Sequence, residues 1–254
     1  MPTQRILVVG DIHVPYQDTE VFNGLLAFAR DFKPTGLILN GDGVDFYDLS
    51  KYNKNPQRCG RLSEEREQLH DEILVPLLRA CRDPMLHFKV YNQGNHERRL
   101  CQYLWHQAPA LSGLKEFKDA GTFLQLEKLG FEYRDENNPY ELGHLLVMHG
   151  HMIRKHSGWS AKAHYERYGT SILMGHSHRW GHYSVTDWRG VHSAVEHGCL
   201  CRLDPEYMPH PNWQQGWAVV HVFENGLFSI QEVKVINREF VIFGDKQYEV
   251  KGAK

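Results

Sequence analysis

The apolar run RILVV, Arg5 to Val9, recurs in kind in GLILN (Gly36 to Asn40), HFKVY (His87 to Tyr91), HLLVM (His144 to Met148) and TSILM (Thr170 to Met174). Runs this short with little polar alternation predict strands covered on both faces. Asp18 precedes Val21, Leu25, Phe28, Ala29 and Phe32 at helical spacing, so it caps a predicted helix that Pro34 helps to end. Ser63, Glu64 and Glu65 open a second helix, with Leu69, Ile73, Leu77 and Ala80 as its buried stripe and a kink at Pro76. Further helices are predicted over Glu97 to Gln107 and over SAKAHYERYG, while Pro109 to Asn138 shows no clear period. After Gly181 the pattern becomes strands joined by hairpin signals at DWRG and ENG. Repeated strand, loop and helix imply a parallel α/β sheet with ligands at the carboxyl ends of its strands. The chain reads as one domain over residues 1–254, with a mostly antiparallel β part over 181–254.

Composition narrows the classes. A formal charge of −2 over 254 residues excludes a surface coated in positive charge for non-specific polyanion binding. MPTQRILVVGD lacks the apolar core of a signal peptide, and nothing approaches the roughly 20 apolar residues of a membrane span, so a cytoplasmic protein is expected. Cys59, Cys81, Cys101, Cys199 and Cys201 form no CxxC pair and are expected as reduced thiols. The 17 histidines outnumber each aromatic type.

Every apolar run ends in polar residues able to bind metal. In order these ends read GDIH, GDGVD, GNHE, HGH and GHSH, offering Asp11, His13, Asp42, Asn95, His149, His176 and His178 as candidate ligands. Imidazole nitrogen and carboxylate oxygen suit zinc, iron or manganese, and seven donors exceed what one four-coordinate ion takes. Two divalent ions sharing a carboxylate fit better. Glycine before each cluster lets the chain turn sharply and approach closely. On an extended strand, His176 and His178 would point the same way, as residues two apart do.

These blocks resemble the calcineurin-like metallophosphoesterases, whose pattern is D-x-H, GD-x-x-D, GNH-[DE], H and GH-x-H, here from Asp11 to His178. The resemblance implies a four-layer α/β/β/α sandwich with mixed sheets and a dinuclear centre, with manganese expected and zinc, iron or nickel as alternatives. It assigns one ion to Asp11, His13, Asp42 and His178 and the other to Asp42, Asn95, His149 and His176. Such a pair holds a phosphoryl group and lowers the pKa of a bound water. His96 matches the family histidine that protonates or stabilises the leaving oxygen, and Asp45 the carboxylate that orients it. DFYDLS and the late NWQQG also resemble a group of phage and bacterial members of the superfamily.

The substrate is less legible. The Ser/Thr protein phosphatases carry a phosphate-gripping arginine where this chain has Phe46. The loop FYDLSKYNKNPQR mixes Phe46, Tyr47 and Tyr52 with Lys51, Lys54 and Arg58. Such a mixture suits nucleotides or single-stranded nucleic acid, or is a solvated loop with packed aromatics. Arg98, Arg99 and Arg154 are candidate phosphate clamps, alongside Lys155 and His156 in the same segments. His151 lines the pocket or caps a helix, and Trp213 is expected to pack beneath the antiparallel sheet. The expected activity is phosphodiester hydrolysis on nucleotides or nucleic acid. The alternatives are a phosphomonoesterase and a non-catalytic interaction module.

Overall fold

The computed structural model describes residues 3–55, 60, 62–205 and 208–250. Arg58 and Cys59 lie outside the described residues. The predicted strands form as β1 (Gln4–Val9), β2 (Gly36–Leu39), β3 (Phe88–Asn92), β6 (Leu145–Met148) and β7 (Ser171–Met174), with β4 (Glu132–Arg134) and β5 (Tyr140–Leu142) between the third and fourth of them. The C-terminal strands are β8 (Trp180–Asp187), β9 (Gly190–His197), β10 (Gly216–Val222), β11 (Phe228–Ile236), β12 (Phe240–Phe243) and β13 (Lys246–Glu249).

They build two sheets. The larger runs β13-β12-β11-β10-β1-β2-β3-β4 and the smaller β5-β6-β7-β9-β8. β1, β2, β3 and β4 are parallel to one another, β10 is antiparallel to β1, and β10 to β13 follow antiparallel. In the second sheet β9 pairs antiparallel with β8 yet parallel with β7. Both sheets are therefore mixed.

Strand alternation sets the layers. Leu7, Val9, Leu37 and Leu39 face one side, where they pack with Leu25, Phe28, Leu77 and Leu100 of the helices. Ile6, Val8, Ile38 and Val90 face the other and meet Leu145, Val147, Leu173 and Val195 of the second sheet. Leu146, Met148, Ile172 and Met174 on the far face of that sheet pack with Ala161. The result is the α/β/β/α sandwich.

Helix α1 (Thr19–Phe32) starts where predicted, Asp18 accepting the Val21 N–H at 3.3 Å. The kink expected at Pro76 appears as a π-helical turn, Leu69–Leu74, between α2 (Leu62–Gln68) and α3 (Val75–Ala80). Proline cannot donate to the preceding turn and its ring crowds it, so a widened turn relieves both problems. Helix α4 (Asn95–Gln107) begins two residues before the predicted start, which puts Asn95 and His96 in its first turn. The aperiodic stretch resolves into short 3₁₀ turns, α5 (Ala120–Phe123) and β4. Helix α6 (Trp159–Tyr168) covers the second sheet. Among the described residues, no helix is long and apolar enough to cross a membrane.

Candidate metal centre

The five predicted blocks follow β1, β2, β3, β6 and β7 and meet along one edge where the sheets face each other. They arrive by a different backbone route from the one expected. β7 stops at Met174, so His176 and His178 do not converge through strand alternation. Both are left-handed, at φ 63° and 57°, as are Asp11 at 51°, His13 at 55° and Asp42 at 50°. Non-glycine residues in that region cost on the order of 1–2 kcal/mol each, so surrounding contacts must hold the turns in place. Among the block glycines, Gly41 makes a turn of its own, at φ 85°. Gly94 and Gly175 serve close approach instead: a Cβ there would stand 2.1 Å from Asp42 Oδ1 and 2.4 Å from Asp11 Oδ2.

The side chains gather in two groups that share Asp42. Asp11, His13 and Asp42 form one, and Asp42, His149 and His176 the other. His178 joins the first, its Nε2 3.1 Å from both Asp11 Oδ1 and His13 Nε2. Asn95 joins the second, its Oδ1 3.1 Å from His149 Nε2, which lies 3.3 Å from Asp42 Oδ2. The donor set fits divalent transition metals: oxygen and imidazole nitrogen aimed at common points, with both carboxylates out of water.

The charges point the same way. Burial works against ionisation of Asp11, but the adjacent His178 charge and hydrogen bond outweigh it and hold the carboxyl below the usual range. Asp42 is held down likewise, against burial, chiefly by His149. Burial disfavours charge on His149 and His178, yet Asp42 lifts the first, and Cys201 with Asp11 the second, each to about 10. His176, pressed by burial and by His149, falls to about 3. Two buried carboxylates thus draw positive charge into the cluster.

Other residues fix these loops. Glu97 takes the N–H groups of Asp42 at 2.9 Å, Gly43 at 2.8 Å and Gly94 at 2.8 Å, and the Tyr91 hydroxyl at 2.7 Å. His149 Nδ1 donates to the Asn40 carbonyl at 2.8 Å, which aims Nε2 at the cluster. The Asn40 amide donates to the Met148 carbonyl at 2.8 Å, tying the sheets together beneath the site. Buried Glu196 accepts the Ser177 hydroxyl at 2.7 Å, between the two histidines of GHSH. A polar residue directly after an apolar run was the available signal for Asn40; Glu196 had none in local sequence.

His96 sits beside this cluster. Its Nδ1 donates to the Asp45 carbonyl at 2.8 Å and lies 3.0 Å from the Asp45 carboxylate, which also approaches His13 Nδ1 at 3.4 Å. Arg99 donates to the Asp45 carbonyl at 2.7 Å and to His96 Nε2 at 3.0 Å. Asp45 therefore meets His96 through both backbone and side chain.

The floor of a cavity of about 1090 Å³ is made by His13, Asn95, His96 and His178, with Arg99 at its side. One wall, the loop after β2, carries Tyr47, Tyr52 and Lys54, and a second, built from the loop after β1 and the segment between β9 and β10, carries Tyr16, Arg202 and Trp213. Trp213 does not pack beneath the antiparallel sheet as expected: its ring centroid lies 4.3 Å from that of His178. Cys201, absent from the sequence-based donor set, stands with Sγ 3.7 Å from His178 Nδ1. Arg98 instead pairs with Glu136. Arg154 and His151 are exposed away from the lining, His151 donating its backbone N–H to His164 Nε2 at 3.0 Å. Lys155 and His156 are likewise exposed. Phe46 is fully buried, 5.9 Å from Phe123, with its N–H on Glu65 at 2.7 Å. Cys81, Cys101, Cys199 and Cys201 are free thiols.

Two phage proteins resemble the chain over most of its length. The Gene 54 protein of Mycobacterium phage D29 is 27% identical over 236 residues, 88% of this chain and 91% of the relative. That of Mycobacterium phage L5 is 27% identical over 233 residues, covering 87% and 89%. Among solved structures, a dimetal phosphatase from Danio rerio aligns with a TM-score of 0.47 at 11% identity, over 88% of this chain and 94% of that one. The sequence profile of the calcineurin-like phosphoesterases matches residues 4–208, and the chain belongs to that family.

Proposed function

We propose that the protein hydrolyses phosphodiesters of nucleotides or nucleic acid at a dinuclear centre. Asp11, His13, Asp42 and His178 would hold one divalent ion and Asp42, Asn95, His149 and His176 the other, with manganese, zinc, iron or nickel matching the donors. Bound there, such a pair supplies Lewis acidity to a phosphoryl oxygen and to water. The observation that carries the reading is the meeting of seven donors from five strand ends, three of which, His13, Asn95 and His178, line a cavity beside an oriented histidine.

His96 is the residue that meets the leaving oxygen. Asp45 holds the Nδ1 proton in place, so Nε2 is the atom that works. Arg99 occupies Nε2 in this structure. A phosphoryl oxygen attracts the guanidinium, and its departure leaves Nε2 to take a proton and pass it to the leaving oxygen. A diester is favoured because the position of the protein-phosphatase arginine holds buried Phe46, leaving fewer cations for a dianionic monoester.

The test is a comparison of bis(4-nitrophenyl) phosphate with 4-nitrophenyl phosphate, using protein loaded with manganese and checked by elemental analysis. The expected result is two ions per chain and a higher kcat/KM for the bis-ester. Preference for the mono-ester would assign a phosphomonoesterase, and no hydrolysis of either by fully loaded protein would leave an interaction module.

A further inference from the structure

The two walls of the cavity differ from its floor. The floor is imidazole, carboxylate and amide; the walls are aromatic rings interleaved with few cations. Tyr47 and Tyr52 stand on the loop after β2, while Tyr16 and Trp213 are contributed by the loop after β1 and the segment before β10. Tyr52 is 70% exposed at the mouth, whereas Trp213 is half-buried against His178 at the floor. Rings therefore accompany the cavity from its mouth to the reacting edge.

The cations are sparse. Arg202 is paired with Asp204 through contacts of 3.0 Å and 2.6 Å, and that carboxylate lines the same cavity and offsets its charge. Among the described lining residues, Lys54, on the exposed wall, and Arg99, beside His96, remain. A protein that grips duplex nucleic acid needs many phosphate contacts, because affinity grows with each counterion released. Two cations and a net charge of −2 do not supply them. A volume of about 1090 Å³ lies just above the range of small-molecule pockets, about 300–1,000 Å³, and so exceeds the needs of one mononucleotide.

We infer that the cavity takes a short single-stranded stretch of nucleic acid, a few nucleotides long, whose unpaired bases stack on the walls while one phosphodiester lies on the floor. Stacking on aromatic rings tolerates any base, because every base presents a π-face. A duplex keeps its bases turned inward and cannot offer those faces. The inference rests on the hydrolytic reading above only for the fate of the strand; binding is a separate consequence.

The experiment therefore reads both. Manganese-loaded protein is given the dinucleotide TpT, the oligonucleotides dT4 and dT12, dT12 annealed to dA12, a cyclic mononucleotide and bis(4-nitrophenyl) phosphate. Anisotropy of labelled dT4 reports binding independently. The expected result is that kcat/KM rises from TpT to dT4 and then levels, with the duplex at least tenfold poorer than dT12. With two cations engaged, the logarithm of affinity falls with that of salt at a slope of about −1.4, or about sevenfold between 50 and 200 mM. Tyr52→Ala lowers dT4 affinity by roughly tenfold and Tyr52→Phe restores it, since the ring rather than the hydroxyl carries the contact. The ratio of dT4 to small bis-ester turnover falls with it. Equal or better cleavage of the duplex, fastest turnover of the cyclic mononucleotide, or a Tyr52→Ala protein that binds dT4 as before would each overturn the inference. Tyr52-dependent binding of dT4 without cleavage of any substrate would leave this inference standing and bring down the hydrolytic one. Bis-ester cleavage without dT4 binding would do the reverse.

Discussion

The two halves of the centre use the same ligand chemistry but are held in place differently. His149 is aimed by its Nδ1 on a backbone carbonyl, Asn40, at 2.8 Å, inside the seam between the sheets. His178 turns its Nδ1 toward a thiol, Cys201 Sγ, at 3.7 Å, and its ring packs edge to face with Trp213, both from the segment between β9 and β10. A carbonyl at short range is a strong, fixed acceptor; a thiol is a weak one that a substitution can remove. The half with His149 is thus built into the core of the fold. The half with His178 borrows its support from residues that line the cavity, so events in the cavity reach that donor group more readily.

The sharpest way to break the comparison is Asp42→Ala, because both halves use that carboxylate. Elemental analysis should find the protein depleted of both ions, and hydrolysis should fall to background. Retention of one full equivalent would show that the halves do not share it. Next in size is His96→Ala, which removes a donor from neither half: metal content stays at wild-type level while kcat falls about 10²–10⁴-fold.

Glu65, beneath the loop that carries Asp45, extends the contrast to pH. Burial lifts its carboxyl to about 7 from an ordinary 4.5, with Asp45 and Asp48 adding to the rise against the Phe46 hydrogen bond. Between those values the unfolded chain has lost a proton that the folded chain keeps, so raising the pH across that window favours unfolding. Stability should fall by about 3 kcal/mol from pH 4.5 to 7 through this group. Glu65→Gln should remove that fall, seen as a denaturation midpoint gap that widens with pH; a constant gap would refute it. The smallest effect belongs to Cys201→Ala. Losing so weak a partner should reduce metal affinity in the His178 half by no more than about tenfold and leave the other half unchanged. Equal loss from both ions in a stepwise titration would erase the distinction between them.

The strand ends were readable because each buried run stops at a glycine-marked polar cluster, and parallel pairing puts the ends of β1, β2 and β3 on one side of the larger sheet and those of β6 and β7 on one side of the smaller. RILVV, GLILN and TSILM show this directly: their apolar lengths match β1, β2 and β7 to within a residue or so at each end. Glu97 was visible as part of GNHE, but its role as acceptor for four N–H groups and a hydroxyl was not, since three of those donors come from the loop after β2, far away in the chain. Arg98 and Arg99 looked equivalent. The rotation of about 100° between consecutive helical residues sends the first to Glu136 and the second to His96. Trp213 looked like packing because nothing in PNWQQGW says which neighbours it meets.

What the sequence determined by itself is therefore local and periodic: which runs are buried, where they stop, and which donors stand at the stops. Burial is imposed residue by residue through the cost of leaving apolar surface in water, so it leaves its mark in the order of the residues. What only the tertiary structure decided is convergence: the left-handed turns that aim Asp11, His13, Asp42, His176 and His178, the pairing of Asp42 with both groups, and the wall of Tyr16, Cys201 and Trp213. Those relations join residues far apart in the chain, and their energy exists only once two sheets have closed against each other.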